Sequence, residues 1–293
     1  MLGFIGLGIM GKPMAKNLIN AGYESAVYDL MEDAVKDVAA CGAKACHSIK
    51  EVAEQCDVII TMLPNSPHVK TVVLGEGGVI EFAKPGTLLI DMSSIAPTVS
   101  IEVHDALKEK GIRMIDAPVS GGEPKAIDGT IAIMVGGEEA DFHQAKPYFD
   151  VLGSSATLVG AIGSGNTCKL TNQIIVALNI AALSEGLMLA KMTNTDPEKV
   201  FEAIKGGLAG STVMNAKSPM ILSDNFKPGF RIDLHIKDLQ NALDTGKKYG
   251  APLPLTEEIQ EVLKKLSANG CGSLDHSAIA KHYEELAGKL FTE

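Results

Sequence analysis

The sequence predicts two domains of different class. An α/β, Rossmann-type doubly wound parallel sheet is expected over residues 1–162, and an all-α domain over residues 163–293. Three observations carry this prediction. A strand, a glycine turn and a helix follow one another at the start of the chain. Short apolar runs then alternate with helical patterns to about residue 160. Beyond the Gly160–Gly165 stretch only helical periodicity remains.

The elements can be justified in order. Leu2-Gly3-Phe4-Ile5 is a short buried strand, and it enters Gly6-Leu7-Gly8-Ile9-Met10-Gly11, a GxGxxG turn before the helical pattern that begins near Met14. Ser25–Tyr28 is the second strand, ending in Asp29. Helical stretches follow to Ala40 and from Ser48 to Gln55. Asp57–Leu63 is a largely apolar strand stopped by Pro64-Asn65, and Leu88–Met92 is another, stopped by Ser93-Ser94. A helix over Pro97–Lys110 leads to the strand Arg113–Asp116. Ile131–Val135 then precedes Gly136-Gly137 and a further helix. Apolar strands separated by helices imply a parallel sheet covered on both faces. Ligands of such sheets bind beyond the carboxyl ends of the strands, so the turns after Ile5, Leu63, Met92 and Val119 are expected to line one crevice. In the second domain the helices are expected at Asn166–Met192, Pro197–Gly206, Asp233–Tyr249, Leu255–Ala268 and Ser277–Leu290.

The glycine turn has a specific physical reading. Gly6 permits the tight turn, Gly8 lets a pyrophosphate approach the backbone, and Gly11 lets the helix pack on the strand. The phosphates then rest on free N–H groups at the helix start. Asp29 stands where an acid accepts hydrogen bonds from an adenosine ribose. It is followed by Leu30, Met31 and Glu32 with no arginine, so a 2′-phosphate would meet negative charge there. The expected cofactor is therefore NAD (NADH), with NADP as the alternative.

Bulk composition narrows the partners. The chain has 293 residues, is 46% hydrophobic and carries a formal net charge of −10, with its lysines and arginines scattered. That argues against nucleic acid and against an anionic membrane surface. Five cysteines without a CxxC pattern fit a reduced, cytoplasmic protein, and Cys168 reads as a small packed side chain. The glycine motif begins at once, so no leader is expected. The apolar run Leu170–Ala190 is interrupted by Asn172, Gln173, Asn179, Ser184 and Glu185, so it reads as a core helix rather than a membrane span. Its excess of apolar positions suggests burial on most sides, partly by another subunit, and hence a homodimer or homotetramer. The seven histidines show no metal-ligand spacing.

Two constellations carry chemistry. Gly163 to Gln173 opens the long helix and places Lys169 in the first turn of an otherwise apolar helix. Asn172 and Gln173 lie on the same face at i+3 and i+4. The helix dipole and burial would both ease the proton of such a lysine, suiting it to protonate a nascent alkoxide. Spacing alone leaves a solvated lysine equally open. Asp116-Ala117-Pro118-Val119-Ser120-Gly121-Gly122 ends a strand in a glycine-rich turn. Its N–H groups and the Ser120 hydroxyl could hold a carboxylate, although a purely structural turn is the simpler reading of this segment alone.

Taken together, these segments resemble the β-hydroxyacid dehydrogenase family over nearly the whole chain. The matching motifs are Gly6 to Gly11; Asp116 to Gly122 continuing through Ala126, Gly129-Thr130 and Met134 to Gly137; Gly163 to Asn172; and Lys237-Asp238-Leu239. The resemblance implies a 6-phosphogluconate dehydrogenase-like architecture, no metal, and a substrate site at the seam of the two domains. It implies Lys169 as catalytic acid/base, Ser120, Gly121 and Gly122 as the carboxylate holder, and Asn172 or Gln173 as a substrate contact. It further implies cofactor contacts from Gly6, Leu7, Gly8, Ile9, Met10, Gly11, Asp29, Leu63, Pro64, Asn65, Ser94 and Lys237. Without the resemblance, Lys237 would read as a helix surface charge. Within the family, the resemblance of Met62–Lys70, Met92–Pro97, Glu123–Asp128, Gly207–Thr212 and Phe226–Leu239 implies a small carboxylate-bearing aldehyde as substrate, tartronate semialdehyde first. The same chemistry on 3-hydroxyisobutyrate or succinic semialdehyde is the near alternative. A cofactor-binding module without catalysis is the distant one, and it would be expected to lack Lys169.

Overall fold

A computed structural model describes residues 1–292 of the chain. The chain divides into two compact units, Met1–Lys169 and a second beginning at Leu170. The first unit is built on a nine-stranded sheet in the order β3-β2-β1-β4-β5-β6-β8-β7, with β9 paired to β8. The strands are β1 (Leu2–Ile5), β2 (Ser25–Tyr28), β3 (Lys44–Ala45), β4 (Val58–Thr61), β5 (Leu88–Asp91), β6 (Arg113–Asp116), β7 (Val119–Ser120), β8 (Ile131–Gly136) and β9 (Gly153–Gly160).

The sheet is parallel from β3 through β6, and its register places Ile5 beside Thr61, Thr61 beside Asp91, and Asp91 beside Asp116. The carboxyl ends of the central strands therefore finish side by side, as the switch-point rule requires. Alternate residues serve opposite faces. Phe4, Ile60 and Ile90 belong to one core, whereas Ile5, Ile59 and Leu89 belong to the other. Both faces being buried explains why these strands read as continuous apolar runs.

One part of the sheet departs from the parallel expectation. Strand β8 runs antiparallel to β6 and β7. The Gly121–Thr130 connection holds only the short helix Gly122–Asp128, less than the dozen or more residues a parallel crossover needs. Strand β9 gives no apolar signal because most of its residues are exposed at the sheet's edge.

In the second unit Ala177, Ile180, Leu183 and Leu187 of the helix Ser164–Met192 share a core with Ile232, Leu239, Ile259 and Leu263 from later helices. Among the described residues this is the one helix long and apolar enough to cross a membrane by length and composition, with 44% of its most apolar window buried. Within the single chain Ile175, Leu189 and Met192 are 53%, 67% and 52% exposed, so burial on the remaining side would have to come from another subunit. A helix not expected from sequence, Thr212–Leu222, contains Pro219 and has almost no amphipathic bias. The last expected helix is split into a 3-10 turn, His276–Ile279, and an α-helix, Ala280–Ala287.

Candidate active site

The glycine loop follows β1. Gly6 has φ +98°, and a Cβ there would lie 2.4 Å from the Met62 carbonyl oxygen, so the loop is pressed against the turn that follows β4. A Cβ on Gly11 would lie 1.9 Å from the Gly6 carbonyl oxygen; the helix Gly11–Asn20 thus packs directly on the loop. Gly8 differs from both, because a Cβ there would meet nothing within 4 Å. The fold itself does not require a glycine at position 8, whereas a ligand backed onto the loop would. The helix has no side-chain cap and no acidic residue in its first turn, so no carboxylate of its own competes with an anion there. A groove of about 650 Å³ runs beside the loop, lined by Gly8, Ile9, Lys12, Lys16 and Asn17 among others. The open backbone at Gly8 fits the phosphates of a dinucleotide.

Asp29 is tied to the same loop. Its Oδ2 accepts from Leu7 N at 2.6 Å and its Oδ1 from Met31 N at 2.8 Å, leaving a further lone pair on each oxygen. The cations nearby are engaged: Lys12 and Lys16 both pair with Asp37, and Lys36 with Glu32 and Asp33.

The turns after β4 and β5 are cross-linked. Leu63 N donates to Ser93 Oγ at 2.8 Å, and Ala96 N donates to Ser66 Oγ at 3.1 Å. Asn65 caps the helix Ser66–Leu74 through its side-chain oxygen. Asp91 lies fully buried beneath these turns, and its Oδ1 accepts from Thr61 Oγ1 and Ser93 N. Burial pushes its carboxyl up to about 6. Leu63, Pro64, Asn65 and Ser94 thus stand on two joined turns beside the glycine loop.

Ser120 ends β7, half-buried, opposite Ala132. The backbone then passes through positive φ at Gly121 (+141°) and Gly122 (+71°), a conformation open to glycine.

Lys169 is held by a device the sequence reading did not find. Asp116 ends β6, and its carboxylate accepts from Gly163 N at 2.7 Å and Asn166 N at 2.6 Å. It caps the Lys169 helix from a neighbouring strand. Asn166, fully buried, accepts from Ile95 N at 3.0 Å and donates to Ser100 Oγ at 3.1 Å. A Cβ on Gly165 would lie 2.5 Å from the Met134 carbonyl oxygen, so only glycine lets the helix start sit this close to β8. Burial, together with the neighbouring Asp91 charge, pushes the Asp116 carboxyl up to about 7 against the pull of its two N–H donors. The signal that could have found Asp116 is a carboxylate ending an apolar strand, which must be satisfied by something.

The position of Lys169 is also corrected. The helix begins at Ser164 rather than Asn166, so Lys169 lies in the second turn, where the dipole's influence has largely decayed. The side chain is 6% exposed and not a solvated edge lysine.

In the second unit Asn172 Nδ2 donates to Gln173 Oε1 at 2.9 Å, and Gln173 Nε2 donates to Asp238 Oδ2 at 2.7 Å. Lys237 pairs with Asp238 Oδ1 at 3.0 Å and is 20% exposed, so it is not a simple surface charge. No His, Cys, Asp or Glu cluster suited to a metal occurs among the described residues.

Comparison with known proteins bears on this geometry. Residues 1–161 match a family described as the NAD binding domain of 6-phosphogluconate dehydrogenase. Residues 163–283 match one described as NAD-binding of NADP-dependent 3-hydroxyisobutyrate dehydrogenase. The chain is 44% identical over 286 residues to 2-hydroxy-3-oxopropionate reductase of Escherichia coli K12, covering 98% of each. It is 42% identical to 2-(hydroxymethyl)glutarate dehydrogenase of Eubacterium barkeri, covering 98% of this chain and 96% of that one. A solved structure of Mycobacterium tuberculosis 3-hydroxyisobutyrate dehydrogenase with L-serine superposes with a TM-score of 0.90 at 33% identity, covering 96% and 98% of the two chains. The cofactor of the glycine loop is NAD or NADP.

Proposed function

The chain belongs to the β-hydroxyacid dehydrogenase family, NAD(P)-dependent oxidoreductases that act on CH–OH groups, and on that premise we propose that it reduces tartronate semialdehyde to D-glycerate with NADH. One observation carries the reading. Asp116 ends the strand that leads within a few residues to the Ser120–Gly122 turn, and the same carboxylate caps the helix of Lys169. The proposed carboxylate holder and the proposed acid are therefore fixed to one strand end. Such mutual rigidity is what positional catalysis needs.

The turn's N–H groups and the Ser120 hydroxyl hold the substrate carboxylate. When bound, NADH supplies a hydride to the aldehyde carbon. The ammonium of Lys169 stabilises the alkoxide as it forms and gives it a proton, a contribution of about 10²–10⁴-fold in rate. Asp29 accepts from the ribose hydroxyls, and the paired state of Lys12, Lys16 and Lys36 leaves a 2′-phosphate poorly served, which favours NADH over NADPH. The 44% identity to 2-hydroxy-3-oxopropionate reductase is in keeping with this substrate.

The test is a steady-state comparison of tartronate, methylmalonate and succinic semialdehydes with NADH, repeated with NADPH. Tartronate semialdehyde should lead in kcat/KM by about tenfold, or ~1.4 kcal/mol of transition-state preference. A lead by another aldehyde would refute the substrate assignment and leave the chemistry standing.

A further inference from the structure

We propose that Gln173 is a positioning residue rather than a substrate ligand. In this assignment His235 and Asp238 lock it in place, so that the amide offered to the substrate in this turn is that of Asn172. The proposal rests on the functional reading above and deepens it, because sequence spacing leaves both amides equally eligible.

The lock has two points. His235 and Asp238 stand at i and i+3 on the helix Ile232–Tyr249 and so share a face. Asp238 Oδ2 accepts from the Gln173 side chain at 2.7 Å, while His235 Nε2 stands 3.0 Å from the Gln173 carbonyl oxygen. One helix thus grips both the backbone and the side chain of a single residue on another. Gln173 is 4% exposed, and its amide is engaged at both ends, donating to Asp238 and accepting from Asn172. Asn172 is only half-buried.

Chemistry fixes the direction of the histidine contacts. A carbonyl oxygen only accepts, so His235 Nε2 carries the hydrogen. In the neutral ring Nδ1 is then the acceptor, and His276, whose Nδ1 lies 2.9 Å away, donates to it. Both rings are buried, and Phe230 packs edge-on against each. The tautomer of His235 is thereby held from behind, a standard way of fixing an imidazole's orientation. Lys237 completes the arrangement by pairing with the other oxygen of Asp238.

Reversing the polarity of the lock tests the proposal. In Gln173→Glu two carboxylates would face each other, and in Asp238→Asn an amide would replace the charged acceptor. Each single variant should lose roughly tenfold or more in kcat/KM, the scale of a lost hydrogen bond to a charged group. In the double variant, Asn at 238 can donate to Glu at 173. Glu at 173 can still accept from Asn172, and the oxygen of Asn at 238 still faces Lys237. The double variant should therefore return to within about threefold of the parent, with KM for the aldehyde restored. If Gln173 instead touches the substrate carboxylate, Glu at 173 will repel it in both backgrounds. KM will then stay raised by roughly tenfold or more in the double variant, and the proposal falls. Asn172→Ala should raise KM for the aldehyde at unchanged Tm; an unchanged KM would also overturn the proposal. Melting temperatures of all four proteins separate the two readings. Should the parent reduce no aldehyde, the functional reading fails, yet recovery of Tm in the double variant still reports the lock, and no recovery refutes it.

Discussion

Lys169 is a cation that the chain keeps almost wholly out of water, a placement that suits a group reserved for a desolvated site. If it is the proton donor, removing it and replacing it with a permanent cation should be equally harmful. Lys169→Ala should lower kcat by about 10²–10⁴-fold while the dissociation constant for NADH is unchanged. Lys169→Arg keeps a charge but releases its proton far too reluctantly to act as an acid, and it should recover little. Near-parental turnover in the arginine variant would reduce the role of Lys169 to electrostatics alone. Asp91 makes a separate prediction. Its carboxyl is raised to about 6 by burial, so the folded state holds a proton more tightly than the unfolded one. That contribution is present in full below the unfolded carboxylate's ordinary range and is lost as pH rises through about 6. Asp116, raised to about 7, extends the same trend to higher pH. Thermal stability should therefore fall between mildly acidic and mildly alkaline pH. Asp91→Asn keeps the acceptor used by Thr61 and Ser93 and removes the buried charge. It should raise Tm at pH 8 and flatten the slope; an unchanged slope in calorimetry would refute this account.

At the scale of elements, the start of the Lys169 helix joins stability to catalysis. Gly165→Ala would drive a Cβ to 2.5 Å from the Met134 carbonyl oxygen, so the helix start must shift. Overpacking of this kind costs about 1–3 kcal/mol, and a displacement near 1 Å can cost about 10²-fold in rate. The expected result is a lower Tm together with a kcat reduced by roughly tenfold or more at unchanged NADH affinity. Lost stability with normal kcat would show that the helix start does not place Lys169. The same elements show what was legible beforehand. Strands β1, β2 and β6 fall where their apolar runs predicted them, because burial on both faces leaves a clear signature. Strand β9 left none, since an exposed edge tolerates Ser and Thr. The glycine loop and Asp29 could be read from local spacing. The cap on the Lys169 helix could not, because Asp116 meets Gly163 and Asn166 across 47 and 50 residues, and no local pattern encodes that pairing. The roles proposed for Lys169 and Ser120 rest on the resemblance, since spacing alone left a solvated lysine and a purely structural turn open.

At the scale of the molecule, the long helix Ser164–Met192 has a surplus of apolar surface. Ile175, Ala182 and Leu189 recur every seven residues on its exposed side, with Met192 one turn beyond Leu189. Seven-residue spacing returns these side chains to one face of the helix, which the exposed Glu185 shares. Leaving such a face in water forgoes about 1.5–3 kcal/mol for each large side chain that could be buried, and contiguous apolar patches on soluble chains mark contact surfaces. A second copy of the same helix presents the same face and would satisfy it by two-fold symmetry. The protein should therefore sediment as a homodimer or homotetramer rather than as a 30.8 kDa monomer. Leu189→Glu should shift it toward monomer by placing a charge on the most exposed large apolar side chain of this face, with the first unit's NADH binding retained. A monomeric parent would show that this surface is covered in some other way, and an oligomer insensitive to Leu189→Glu would place the subunit contact elsewhere.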